Sequence, residues 1–360
     1  MPSLSFAQSS NASFAPNYIP VAIFVGGTSG VGQAMAEAFA QQMNGRAHII
    51  LIGRSATTAE KIIAGFPAVS EEEGCAHEFV RCDGQSMREV QRVCDELCAR
   101  LERVNFLVIS AAGPAANSLA QAGETKEGLN AHLAMRYFMR YLFLKNLIPL
   151  LLGARQRGQK AHFMTVLGAG FGITMPTTDL GLHEEVRRSW RLMRGLTPSV
   201  AAVKGMLRGV AYNDGLVAHF AARNPTLAFT HISPGQVLTA GGDSIGSLGL
   251  LFSPLRWVVD CLRRRFLCIP QDECAQYMFY ALVDVDAEQG MFISNERGEI
   301  VGSRVFESQD ADAGWKGNEV ANKSGVLEGI QVQGYGGSDE TVKALMEYTE
   351  EALRVILQLK

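Results

Sequence analysis

Short apolar runs alternate along the chain with longer stretches in which apolar residues recur every three or four positions. The short runs are Val21 to Val25 (VAIFV), His48 to Ile52 (HIILI), Glu78 to Cys82, Asn105 to Ile109 (NFLVI), His162 to Leu167 (HFMTVL) and Leu227 to Ile232. Mostly apolar and too short for helices, they predict strands buried on both faces. Val31, Met35 and Phe39 follow the first run at helical spacing. The same spacing predicts helices over Met87 to Leu101 (Val90, Cys94, Leu97, Leu101) and Thr125 to Ile148 (Leu129, Leu133, Tyr137, Tyr141, Leu144, Ile148). Pro149 is placed to end or kink the second of these. Further helices are expected at Val203 to Arg223, Glu273 to Leu282 and Asp339 to Leu359, with a final edge strand at Met291 to Ser294. Glu307 to Ser338, rich in Gly, Asp and Asn, reads as loop. Strand and helix in alternation imply an α/β fold built on a doubly wound parallel sheet.

The stretch that organises the rest is VAIFVGGTSGVGQAMAEAF, Val21 to Phe39: a buried strand, a glycine-rich turn and an amphipathic helix. Gly26, Gly30 and Gly32 sit where the backbone turns sharply or lets a ligand come close. The amides that open the helix lack partners inside it, and the helix dipole adds partial positive charge, so the natural occupant is a diphosphate. The second strand ends in Gly53-Arg54-Ser55. In NAD-type sites an acid about twenty residues past the glycines bonds the ribose 2′-hydroxyl. Arg54 stands there instead, and a guanidinium pairs with a 2′-phosphate, which argues for NADP(H).

The spacing G-x-x-x-G-x-G resembles the cofactor loop of the short-chain dehydrogenases/reductases, usually T-G-x-x-x-G-x-G, with Val25 where that family commonly has Thr. The likeness covers roughly residues 20 to 300; beyond that the chain resembles extensions of atypical members common in fungi. It implies a Rossmann-like single domain at 20–300 between a flexible N-terminus, 1–19, and a C-terminal loop and helix, 301–360. The implied cofactor contacts are Gly26, Thr28, Ser29, Gly30, Val31 and Gly32, then Arg54 and Ser55. Asp83 inherits the adenine contact, although an Asp there also suits a helix N-cap. Ser110-Ala111-Ala112-Gly113 is similar to the family's N-N-A-G segment, so Ala111, Ala112 and Gly113 pass under the cofactor. Pro234, Gly235 and Thr239 resemble the P-G-x-x-x-T turn flanking the nicotinamide. The apolar and basic segment at about 240–270 takes the place of the substrate lid; such a segment also suits a membrane surface. The family's fourth helix often packs on a partner subunit, which points to a homodimer.

The family's catalytic set does not appear in register. Its Tyr lies about thirty residues before the P-G pair, which leads to Lys204, with Arg208 where its Lys belongs. The serine at the end of the fifth strand becomes Leu167 or Gly168, and the helix Asn becomes Arg136. The literal Y-x-x-x-K, Tyr141 to Lys145, lies on the wrong element. Lys204 is therefore the candidate proton donor if desolvated, and Arg208 can hold an alkoxide or a substrate carboxylate; in redox-neutral chemistry Lys204, Arg208 or Arg136 would polarise the substrate. Three readings stay open: an NADP(H)-dependent oxidoreductase with a rebuilt proton relay, a redox-neutral isomerase, cyclase or lyase on the same scaffold, and a non-catalytic nucleotide-binding protein.

Composition narrows the rest. A chain of 360 residues, 47% hydrophobic, forms a large core, and a net charge of -3 argues against nucleic acid. Seven cysteines without a C-x-x-C pair indicate free thiols in a reducing, cytoplasmic setting, and neither they nor the seven histidines show metal-ligand spacing. The first residues lack a basic start and apolar run, and no apolar stretch is long enough to span a membrane.

Overall fold

The computed structural model describes residues 2–113, 124–184, 198–238, 268–284, 287–305 and 339–358. The apolar runs form strands β1 (Val21–Val25), β2 (His48–Gly53), β3 (Ala76–Arg81), β4 (Phe106–Ile109), β5 (His162–Val166), β6 (Ala228–Ile232), β7 (Gly290–Ser294) and β8 (Ile300–Arg304). They make one sheet in the order β3-β2-β1-β4-β5-β6-β7-β8. Every neighbouring pair is parallel except β7 and β8. The fold is a Rossmann-like doubly wound α/β sheet, as the alternation of elements implies. Strand order reverses between β1 and β4, and the crevice at their carboxyl ends is where ligands of open α/β sheets bind.

Helices cover both faces. Successive side chains of a strand point to opposite faces. On β1, Val21, Ile23 and Val25 join one core and Ala22 and Phe24 the other. The first core lies under α4 (Met87–Arg100), α6 (Met139–Gln156), α7 (Pro198–Arg223) and α9 (Asp339–Gln358). The second lies under α1 (Leu4–Ser13), α2 (Gly30–Met43) and α8 (Gln271–Val283), with α3 (Ala56–Ala64) at its rim. No helix among the described residues is long and apolar enough to cross a membrane.

Several expectations are corrected. Residues 4–13 are not a flexible N-terminus but helix α1, capped by Ser3 and held to α8 by Asn11 Nδ2 donating to the Gln276 carbonyl at 2.9 Å. The long helix does not begin at Thr125: a turn precedes it, and Asn130 Oδ1 caps α5 (Ala131–Leu133) by accepting from His132 N and Leu133 N. Nor does it stop at Pro149, which lies inside α6. A proline inside a helix costs about 3 kcal/mol. Leu147, Leu150 and Leu151 are buried around it, each contributing about 1.5–3 kcal/mol, so burial offsets the lost hydrogen bond.

At the other end, β7 is not the edge: β8 pairs antiparallel beyond it, after a turn at Asn295 to Gly298. IVGSR is too polar to read as a strand by itself. The sheet thus crosses the expected boundary at 300. Two tyrosines of the apolar stripe meet the chain's own α9. Tyr137 Oη bonds Thr349 Oγ1 at 2.7 Å, Tyr141 Oη donates to Glu350, and Leu345, Leu353 and Ile356 are buried in the same core. The loop expected at 307–338 lies outside the described residues.

Candidate cofactor and substrate site

The carboxyl ends of the strands open on a cavity of about 760 Å³. Its floor is the turn after β1. Gly26 (φ +89°) accepts a conformation disfavoured for other residues, and its Cβ would stand 2.6 Å from Ala111 N, so the turns after β1 and β4 touch. At Gly32 a Cβ would reach within 2.5 Å of the Gly26 carbonyl, so α2 starts hard against the turn. Ser29, the N-cap residue of α2, makes no side-chain capping bond. That leaves the opening amides of a 14-residue helix facing the cavity with the helix dipole behind them.

Most of the expected cofactor residues meet here: Gly26, Thr28, Ser29, Gly30, Val31, Gly32, Arg54, Asp83, Ala111, Ala112, Gly113, Pro234 and Gly235 all line the cavity. Arg54 is exposed at the end of β2 and bonds no described residue. Asp83 Oδ1 accepts from Gln85 N at 3.1 Å. The N-cap of α4 is Ser86, not Asp83; its Oγ accepts from Glu89 N. Ser55 does not reach the cavity, because its Oγ caps α3 by accepting from Thr58 N at 3.3 Å. Thr239 and the lid at 240–270 fall outside the described residues, apart from the end of the lid at 268–270.

The far wall is apolar: Met135, Met139 and Phe143 on one side and Met206, Leu207 and Val210 of α7 on the other, with Leu167 and Gly168 at the end of β5. Among the described lining residues this wall carries no phenol or imidazole. The expected proton-handling residues separate. Arg136 lines the cavity. Arg208 does not: it lies about half a helical turn round from Met206 on α7, and its Nη1 donates to the Asp179 carbonyl at 2.7 Å. Lys204 is on α7, but its side chain lies outside the described residues. Tyr141 and Lys145 both bond Glu350 of α9, and neither lines the cavity. Tyr212 is buried, donates to the Leu180 carbonyl at 3.0 Å, and burial pushes its phenol up.

Arg136 owes its place to a local irregularity. Ala134–Phe138 is one π turn between α5 and α6, where Met139 N–H reaches back five residues to the Ala134 carbonyl. A π turn frees a carbonyl from the ladder. Asn213 Nδ2 donates to the Arg136 carbonyl and to the Gly209 carbonyl, each at 2.6 Å. Asn213 Oδ1 accepts from Thr165 Oγ1 at 2.8 Å. Arg140, fully buried, completes the network. Its Nη1 donates to Thr165 Oγ1 and to the Ile109 carbonyl (3.0 Å), and Nη2 to the Ala111 (2.9 Å) and Val166 (3.1 Å) carbonyls. Burial, with Arg136 nearby, pulls Arg140 down to about 9; burial alone pulls Arg136 down to about 10. Both stay protonated at neutral pH. Sequence reasoning missed Arg140, Thr165 and Asn213. The signal was present in RYFMRYLFL, where two arginines one helical turn apart sit in an otherwise apolar stretch.

Residues 20–159 match the model of the short chain dehydrogenases. An oxidoreductase of Emericella variicolor, andH, is 26% identical over 348 residues, covering 96% of this chain and 91% of its own. A second oxidoreductase, from Emericella nidulans, is 28% identical, covering 66% of this chain and 65% of its own. Among solved structures the fold is similar to an actinorhodin polyketide ketoreductase with NADPH (TM-score 0.51, 16% identity, 77% of this chain and 95% of that one). It is also similar to an alcohol dehydrogenase of Thermococcus sibiricus complexed with 5-hydroxy-NADP (TM-score 0.50, 19% identity, 76% and 95%).

Proposed function

We propose that the chain, whose residues 20–159 match the short chain dehydrogenases, is a nicotinamide-dependent oxidoreductase of that family that uses NADP(H) to interconvert a carbonyl and an alcohol on an apolar substrate. The observation that carries the cofactor choice is Arg54, exposed at the cavity rim with no described partner, where a 2′-phosphate offers it a charge-assisted pair. The uncapped start of α2 suits the diphosphate, Asp83 the adenine, and Ala111 to Gly113 the underside of the cofactor.

When bound, the nicotinamide supplies or accepts the hydride. The walls of Met135, Met139, Leu207 and Val210 present an apolar surface and favour an apolar substrate. In the reducing direction the carbonyl oxygen would need one proton, drawn from solvent, to complete the alcohol. Lys204 is the chain's own candidate to pass that proton on. A general acid contributes about 10²–10⁴ in rate, so reduction without one is slow but allowed.

The lack of an acid on the described far wall also favours a redox-neutral isomerase, cyclase or lyase. Fluorescence titration with NADPH and NADH, followed by turnover, separates the readings. Saturable binding with preference for NADPH, then oxidation of NADPH by apolar ketones or aldehydes, supports the reductase. Turnover with no net change in NADPH supports the redox-neutral enzyme. Failure to bind either nucleotide overturns the reductase and favours redox-neutral chemistry or a protein partner.

A further inference from the structure

Two arginines in this chain are at least nine-tenths buried, among the described residues, and they are used in opposite ways. Arg140 spends its guanidinium on three backbone carbonyls and a threonine hydroxyl. Arg136, one turn earlier, spends none. Its Nε, like that of Arg140, is sealed from solvent without a hydrogen-bond partner; unlike that of Arg140, its guanidinium meets no carboxylate or carbonyl among the described residues. A buried charge with no partner among the described residues is held against its own desolvation cost. It is also held by construction. The π turn aims it, Asn213 ties down its carbonyl, and Gly209 leaves room for its stem.

The charge faces a cavity whose nearby walls are methionine, leucine and valine. The cofactor's phosphates have their own partners on the β1–β2 side, at the start of α2 and at Arg54, whereas Arg136 lies against α7. With no partner among the described residues, its counter-charge is one that a second ligand can carry. A planar guanidinium fork matches a carboxylate in two parallel hydrogen bonds. A carboxylate is charged before, during and after reduction, so it offsets the desolvated charge throughout the bound states, whereas an alkoxide exists only briefly.

We propose that Arg136 is a carboxylate clamp and that the substrate is an apolar oxo acid, bound by its carboxylate at Arg136 with its hydrocarbon against the methionine-lined wall. This rests on the reductase reading for the reaction, but the clamp itself is read by binding alone.

The test uses octanoate and octanamide, equal in shape and different in charge, titrated calorimetrically into the full chain with and without NADPH. Octanoate is expected to bind at least about tenfold more tightly than octanamide, the scale of one charged pair. Arg136→Met removes that preference and leaves NADPH binding unchanged, and Arg136→Lys keeps part of it. Equal binding of the two probes by the wild type, or a preference that survives in Arg136→Met, overturns the clamp. Should Arg136→Met fail to fold, Gly209→Ala, which crowds the same stem, and the wild-type comparison decide. Failure of NADPH to bind would overturn the cofactor reading and leave the probe comparison readable without it. With substrates, the variant is expected to raise KM for 2-oxo-octanoate and spare its methyl ester; an equal fall in kcat for both would make Arg136 an alkoxide stabiliser and overturn the clamp.

Discussion

The side chain of Arg136 crosses α7 at Gly209, where a Cβ would stand 2.9 Å from Arg136 Cβ and 3.3 Å from its Cδ. Gly209, having no side chain, leaves the stem of Arg136 room to pass. Gly209→Ala is expected to cost about 1–3 kcal/mol through overpacking. It should keep the fold and NADPH affinity while weakening the binding of carboxylates, as read by calorimetry beside the wild type.

Arg54 should carry the choice between the two nicotinamide nucleotides. Losing a hydrogen-bonded charge pair costs about 1.5–3 kcal/mol, so Arg54→Ser is expected to weaken NADPH by about tenfold to a hundredfold. NADH should change little. Equal weakening of both would place the arginine elsewhere than at the 2′ position.

Arg140 binds the carbonyls of Ile109, Ala111 and Val166, tying the ends of β4 and β5 beneath the cofactor segment. Arg140→Met leaves these acceptors and Thr165 without their donor, with an expected loss of about 3–5 kcal/mol in urea unfolding. Arg140→Lys should not restore it, because an ammonium lacks the planar fork. Thr165→Val should cost less, about 1 kcal/mol.

His162 makes the core acid-sensitive. Its Nδ1 meets the Leu282 carbonyl at 2.9 Å and its Nε2 meets Thr230 Oγ1 at 2.7 Å. Burial, with Lys160 nearby, holds the imidazole down to about 3, against 6.5 for an unperturbed histidine. The unfolded chain takes up this proton first, so stability from the neutral ring is complete above pH 6.5 and falls as pH drops toward 3. Between pH 6.5 and 5 the unfolding free energy should fall by about 2 kcal/mol from this group. His162→Gln is expected to flatten that dependence.

Helix α9 packs on the π turn and α6 at Tyr137 and Tyr141. Leu345 is fully buried there, and Leu345→Ala should destabilise by about 2–5 kcal/mol. Removing residues 339–360 is expected to expose the stripe and drive association, visible by light scattering, whereas the full chain keeps that face covered.

Strand–turn–helix periodicity and the position of Arg54 were legible in the chain because they are local. An apolar run followed by glycines and a helical stripe commits the backbone within a few residues of itself. The cofactor side of the cavity is built from such pieces, each at the end of a strand that was readable alone. The polar extremes were less so: α1 and β8 are too polar or too short to show, and they exist because α8 and β7 offer them partners.

The substrate side was decided by the tertiary structure. Helix numbering alone made Arg208 and Arg136 equal candidates, yet one turns to the Asp179 carbonyl and the other to the cavity. Arginines 136 and 140, one turn apart and alike in sequence, end as a guanidinium with no partner among the described residues and as a brace on three carbonyls and a threonine. Nothing local separates them. The difference lies in Ile109, Thr165, Val166, Gly209 and Asn213, which the fold brings from three other elements, and a buried charge takes its role from whichever partners those elements leave or deny it.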